Sequence, residues 1–194
     1  MSKRDLKKDH ILSAGIEVMK AKGYNGASVN DIVEAAKVPK GSFYNYFESK
    51  EIFAADALAK AADQGLEASL KQLANKETPP LLRLEKYFAN ETNTCSESDF
   101  TIGCFLGNMC QEMADSSELI RDKLRQVLGE HTQLIADVLH EAQAKGQLSA
   151  EADTQCMAEF LFNAWEGALM RMKASKCRQP LDSFLQQLPQ MFKQ

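Results

Sequence analysis

The sequence is poor in the residues that build sheets, turns and membrane spans. Valine and isoleucine together number 13 of 194 residues, against 45 for alanine and leucine, so helix formers far outweigh β-branched strand formers. Ten glycines and five prolines fall below the usual share of about 12% and leave few tight turns. No apolar run reaches the ~18 residues that a membrane span needs. The start, Met1 to Asp9, is charged with no apolar stretch behind it and does not read as a signal peptide. Cys95, Cys104, Cys110, Cys156 and Cys177 are odd in number and form no C-x-x-C pair. They read as reduced thiols of a cytoplasmic protein rather than a disulfide framework. His10, His131 and His140 are too scattered for a zinc site, and no metal or cofactor is expected. Paired acid and base residues, a phosphate loop and a Ser-His-Asp pattern are all missing, while Glu130-His131 and Asp137 to His140 are ordinary helix-surface neighbours. An enzyme is not expected.

What is present is distributed unevenly. Residues 1–50 carry nine Lys/Arg and six Asp/Glu, whereas residues 51–194 carry 14 and 21. A mildly basic head on an acidic body suits a small nucleic-acid-binding module attached to a larger helical domain, although an excess of three charges is weak by itself. The expected division is 1–50 and 51–194.

Helical periodicity places a first helix over about Asp5 to Lys22, stopped by Gly23. Ser28 opens a capping-box pattern with Asp31 and a short second helix to about Ala36. Pro39 suits the first position of a two-turn third helix ending near Tyr46. Longer helices follow over about Ser49–Asn75, Pro80–Asn93, Ile102–Ala114, Ser116 or Ser117 to Gly146, Ala150–Ala174 and Pro180–Phe192, with a polar loop expected at Thr92–Asp99. The fold class is all-α with about nine helices: an N-terminal three-helix domain, then a larger helical domain.

The second and third helices, joined by a tight turn, form a helix-turn-helix unit. A helix entering the major groove needs small or donor-rich residues at its N-terminus. Lys40, Gly41 and Ser42 meet that need: Gly41 permits close backbone approach and Lys40 can reach guanine acceptors. Phe43 and Phe47 are i, i+4 and should anchor the helix to the core, while Tyr44, Asn45 and Tyr46 present polar groups outward toward phosphates. Ser28 and Lys50 complete the candidate DNA-binding set. The stretch from Ala35 through Pro39-Lys40-Gly41-Ser42-Phe43-Tyr44-Asn45-Tyr46-Phe47 to Glu51 closely resembles the TetR family of bacterial one-component regulators, as do its position and the chain length. Lys37 and Pro39 stand where that family often has a turn glycine and a Ser or Thr cap; lysine in a left-handed turn costs about 1 kcal/mol. The resemblance implies a homodimer whose N-terminal domains bind double-stranded operator DNA and whose C-terminal domains bind a small effector.

In the acidic body, Ile120, Leu124, Val127/Leu128, His131, Ile135, Val138/Leu139 and Ala142 form one helical stripe, which puts His131 on a buried face, as a satisfied core histidine or as a polar anchor in an effector pocket. The stretch Cys156–Met170 is apolar nearly all round and should be buried on more than one side: Phe162 and Trp165 toward a pocket, and Ala164, Gly167 and Ala168 toward a partner helix, or all of it within the monomer core. Phe184, Leu185 and Leu188 would join the dimer surface that the resemblance implies. Met109, Met113, Met157 and Met170 could line a soft pocket or simply fill core. In Thr101–Cys110, Cys104 near a helix start is either a reactive thiol or a small buried hydrophobe; the Gly103-Cys104 pair is similar to that of family members responding to electrophiles or oxidants. The candidate effector residues are Cys104, Phe105, Asn108, Met109, His131, Phe162 and Trp165. The expected function is a repressor released from its operator by a small apolar or electrophilic effector. A thiol switch through Cys104 is the alternative, and a DNA-binding protein without an effector is a further class.

Overall fold

The structure, a computed structural model, describes residues 2–193. Among these it contains nine helices and no strand: α1 (Lys3–Gly26), α2 (Val29–Ala35), α3 (Lys40–Tyr44), α4 (Lys50–Leu73), α5 (Pro80–Glu97), α6 (Phe105–Met113), α7 (Glu118–Ala144), α8 (Thr154–Ser175) and α9 (Gln179–Met191). No helix among the described residues is long and apolar enough to cross a membrane. The chain forms two compact units. One combines the segment ending at Gln64 with Phe105–Val127; the other combines Gly65–Cys104 with the segment from Leu128 onward.

In the first unit, α1 opens with a capping box between Ser2 and Asp5 and buries Ile11, Leu12, Gly15, Ile16 and Met19. Gly15 lets α1 approach its neighbours, because a Cβ there would lie 2.2 Å from the Phe53 ring and 3.0 Å from Ile32. Phe43, Phe47 and Phe53 form an aromatic triangle with centroids 4.9–5.3 Å apart and are all buried. Such pairs add about 0.5–1.5 kcal/mol each beyond their area. In the second unit, α5, α8 and α9 enclose a core centred on Phe88, Trp165 and Phe184, with centroids 4.9–5.3 Å apart. Arg83, 2% exposed, donates to the Leu73 carbonyl at 2.7 Å and lies 2.5 Å from Glu141.

Several sequence expectations are corrected, each for a local reason. Helix α5 runs to Glu97 instead of ending near Asn93, because Thr92, Thr94 and Ser96 donate back to the carbonyls of Phe88, Asn90 and Thr92. Their hydroxyls are satisfied inside the helix, so a polar run does not become a loop. Helix α6 starts at Phe105, three residues beyond Ile102, after an irregular stretch in which Asp99 and Phe100 adopt left-handed backbone. Cys104 therefore precedes the helix. Helix α8 starts at Thr154, where the Asp153 side chain accepts the Cys156 N–H; the Gln143 amide binds the carbonyls of Ser149, Ala150 and Ala152 and holds that segment non-helical. Pro39 is the N-cap of α3, with extended backbone, rather than its first helical residue. His131 is half-buried, and Thr132 takes the buried place beside it. Helix α8 leaves one side open in the single chain, with Phe160 59% and Met170 62% exposed, so Met170 lines no interior.

Candidate functional site

The helix-turn-helix unit is built from three local devices. Gly23, at φ 74° and ψ 174°, breaks α1, a conformation that favours glycine. Ser28 caps α2: its Oγ accepts the Asp31 N–H at 3.1 Å, and Asp31 Oδ2 accepts the Ser28 N–H at 2.7 Å. A bond from Lys22, followed by the two from Ser28, holds the Asp31 carboxyl well below the usual carboxylate range. Between α2 and α3, Lys37 takes φ 53°, the left-handed turn foreseen from its place in the motif. His10 on α1 lies 2.8 Å from the Ala36 carbonyl, tying α1 to this turn.

Helix α3 separates its residues cleanly by face. Phe43 is fully buried, whereas Lys40, Gly41, Asn45 and Tyr44 are exposed, Tyr44 to 54%, and Ser42 and Tyr46 are half-buried. A Cβ built on Gly41 would meet nothing within 4 Å. The glycine therefore serves no internal packing and leaves an open surface at the helix start. Pro39 offers no side-chain cap to α3, so the Lys40 and Gly41 N–H groups keep their donor capacity, while the Ser42 N–H donates to the Pro39 carbonyl at 2.8 Å. Ser28 is exposed, but its hydroxyl is committed to the α2 cap.

Lys50 is the surprise of this face. Its Nζ sits 4.1 Å from the centroid of the Tyr24 ring, a cation–π contact. Burial lowers its pKa, while Glu112 and Asp31 act in the opposite sense. Tyr24 and Glu112 were missed in the sequence reading. Tyr24 follows the helix-stopping Gly23 directly, a position that could have flagged it; Glu112 is 88 residues away and carries no such signal. Its carboxylate accepts the N–H groups of Tyr24 at 3.2 Å and Asn25 at 2.8 Å.

The candidate effector residues divide between the two units. Phe105 and Met109 are buried and Asn108 is half-buried in α6 of the first unit, while Cys104, His131, Phe162 and Trp165 belong to the second. There, the His131 and Phe162 rings stack with centroids 6.2 Å apart and 29° between planes, and a Cβ on Gly65 would lie 3.5 Å from His131 Nε2. Trp165 belongs to the aromatic core with Phe88 and Phe184. Cys104 shares a hydrogen bond with Glu166, whose carboxyl is pushed up by burial. Nearby, Tyr87 bonds Ser69 at 3.0 Å, and burial raises the Tyr87 phenol to about 12. The second unit thus gathers a thiol, a carboxyl and a phenol in a largely apolar interior.

Comparison with known proteins agrees with this architecture at both ends of the chain. The family described as bacterial regulatory proteins, tetR family, matches residues 11–57, and the tetracyclin repressor-like C-terminal domain matches residues 80–188. The chain is 34% identical over 178 residues to the HTH-type transcriptional repressor DhaR of Mycobacterium sp. (strain GP1), covering 92% of this chain and 88% of that protein. It is 37% identical over 175 residues to the transcriptional regulator AcuR of Cereibacter sphaeroides, covering 90% and 80%. A crystal structure of a regulatory protein TetR from Rhodobacter sphaeroides superposes with a TM-score of 0.87 at 33% identity, covering 94% of this chain and 97% of that one. The reduced form of Escherichia coli NemR shares the fold, with a TM-score of 0.84 at 24% identity and 94% coverage of each chain. Regulators of this kind are typically non-enzymatic DNA-binding proteins. The chain belongs to the TetR family and is a ligand-responsive, DNA-binding transcriptional regulator.

Proposed function

We propose that the protein is a homodimeric, cytoplasmic repressor that leaves its operator when a small apolar or electrophilic effector binds. Residues 1–50 serve as the DNA-binding domain and residues 51–194 as the effector-binding and dimerisation domain. The observation that carries the DNA reading is the face of α3 that keeps Lys40, Gly41, Tyr44 and Asn45 exposed while Phe43 locks the helix to the core. Lys40 reads bases, Gly41 and Ser42 admit the backbone, and Tyr44, Asn45, Tyr46 and Lys50 bind phosphates, while Ser28, whose hydroxyl and N–H both donate to Asp31, positions α2 instead of contacting DNA. The exposed Phe160 and Met170 and the open space at Gly167 supply the apolar, closely approachable face that a partner copy would cover. The repressor sign is supported by DhaR, a named repressor. Effector binding would change the separation of the two heads, which must span successive major grooves about 34–36 Å apart.

A second reading makes the Cys104 thiol the responsive group, with the adjacent Glu166 carboxylate as the base that takes its proton, and modification of the thiol replaces ligand binding. Fluorescence anisotropy on the DNA beside the protein's own gene, against random duplex at low and moderate salt, tests the regulator. Tight, selective binding as a dimer is expected; binding without preference for that DNA sinks the assignment of this operator. If Cys104→Ser keeps DNA affinity and loses the response, the thiol reading replaces the ligand reading.

A further inference from the structure

Helix α6 begins at the residue after Cys104 and ends beside the DNA-binding head, and its last turn carries Glu112. The Tyr24 and Asn25 N–H groups follow the break at Gly23, where non-helical backbone interrupts α1. Both oxygens of the Glu112 carboxylate are used on them: Oε1 accepts from Tyr24 and Oε2 from Asn25. Charge-assisted bonds of this kind are about twice as strong as neutral ones, and a negative group also suits the positive end of a helical turn. The seat is shaped for the carboxylate. A Cβ on Gly23 would lie 2.4 Å from Glu112 Oε1, so glycine supplies both the positive φ and the space. The residue held by this seat, Tyr24, presents the ring on which the Lys50 ammonium rests.

We infer that Glu112 is a positioning residue for DNA binding: by fixing the Tyr24 backbone it sets where the Tyr24 ring holds the Lys50 ammonium for a phosphate. This rests on the reading of Lys50 as a phosphate contact. It also gives α6 a specific hold on this surface through a carboxylate whose two oxygens are both taken by the head's own N–H groups. The sign of the effect separates positioning from simple charge. Removing a negative group near a polyanion raises affinity by electrostatics alone, whereas losing a positioning group lowers it.

The test is operator binding by anisotropy across a salt series for the full-length protein, Glu112→Gln, Glu112→Ala, Lys50→Ala and the Glu112→Ala/Lys50→Ala double variant, each with a thermal melt. Glu112→Ala is expected to weaken binding about tenfold, equivalent to about 1.4 kcal/mol, and to flatten the salt slope as Lys50→Ala does. The double variant is expected to bind within about twofold of Lys50→Ala alone, the non-additivity of coupled groups. Glu112→Gln, isosteric and fold-preserving, keeps one acceptor and should lose about threefold. Unchanged or raised affinity in Glu112→Gln overturns the inference, as do losses that multiply in the double variant. If Lys50→Ala itself leaves the salt slope intact, the phosphate reading of Lys50 fails, and the inference fails with it.

Discussion

Replacing Lys50 with alanine is expected to change how strongly DNA binding depends on salt more than how strongly the protein binds at any one salt. A single phosphate contact contributes about 0.9 to the slope of log affinity against log salt, because neutralising a phosphate releases condensed counterions. A dimer brings two copies of Lys50, so the slope should fall by about 1.8. Over a fourfold rise, from about 50 to about 200 mM, that difference amounts to roughly tenfold in affinity. Part of the contact is offset in advance. In the free protein the ammonium rests 4.1 Å from the Tyr24 ring centroid, an interaction worth about 0.5–1 kcal/mol at a partly exposed site. The slope is insensitive to that offset and isolates the phosphate. Anisotropy titrations of operator duplex at four or five salt concentrations measure it directly. Parallel lines for the wild type and Lys50→Ala would refute the reasoning, and Lys50 would then be a residue that merely packs on Tyr24.

Four further outcomes follow from the same geometry. Lys40→Ala should relax base preference at one operator position, costing about 1–3 kcal/mol on the best site with little change on random duplex; competition binding against single-base operator variants checks it. Lys37→Gly relieves a left-handed lysine at an exposed site and should stabilise the head by about 0.5–1 kcal/mol after the added unfolded-state entropy of glycine, read as a raised denaturation midpoint; a lowered midpoint would contradict it. Gly15→Ala drives a methyl against the Phe53 ring and should cost about 1–3 kcal/mol by overpacking, measured by urea unfolding. Bonds from Arg83 first, then Lys76 and Lys145, hold the Glu141 carboxyl well below the usual range. Its stabilisation is therefore fully present above the ordinary carboxylate pKa of about 4.3 and is lost as pH falls below it. Glu141→Gln should weaken the protein by about 3 kcal/mol at neutral pH, because the buried Arg83 loses its counter-charge, and the difference from wild type should shrink in acid melts.

The sequence by itself determined what near neighbours decide. The Ser28–Asp31 cap, the stop at Gly23, the left-handed Lys37 and the burial of Phe43 and Phe47 with Tyr44 facing out all follow from backbone sterics and side-chain spacing within one or two helical turns. These local rules made the all-helical class and the helix-turn-helix legible. They failed where a local rule met a competing bond. In α5, hydroxyls that donate to carbonyls four residues back are satisfied inside a helix that runs on through a polar stretch, and the Gln143 amide held 149–153 out of α8. Only the tertiary structure decided that Glu112 would seat on the amides of Tyr24 and Asn25, that Lys50 would lie over the Tyr24 ring, and that Cys104 would meet Glu166. Those partners are 26 to 88 residues apart. Lys50 and Cys104 stand out in the sequence, but Glu112 and Glu166 carry no signal there, and packing alone brings these pairs within hydrogen-bond or ring-contact reach.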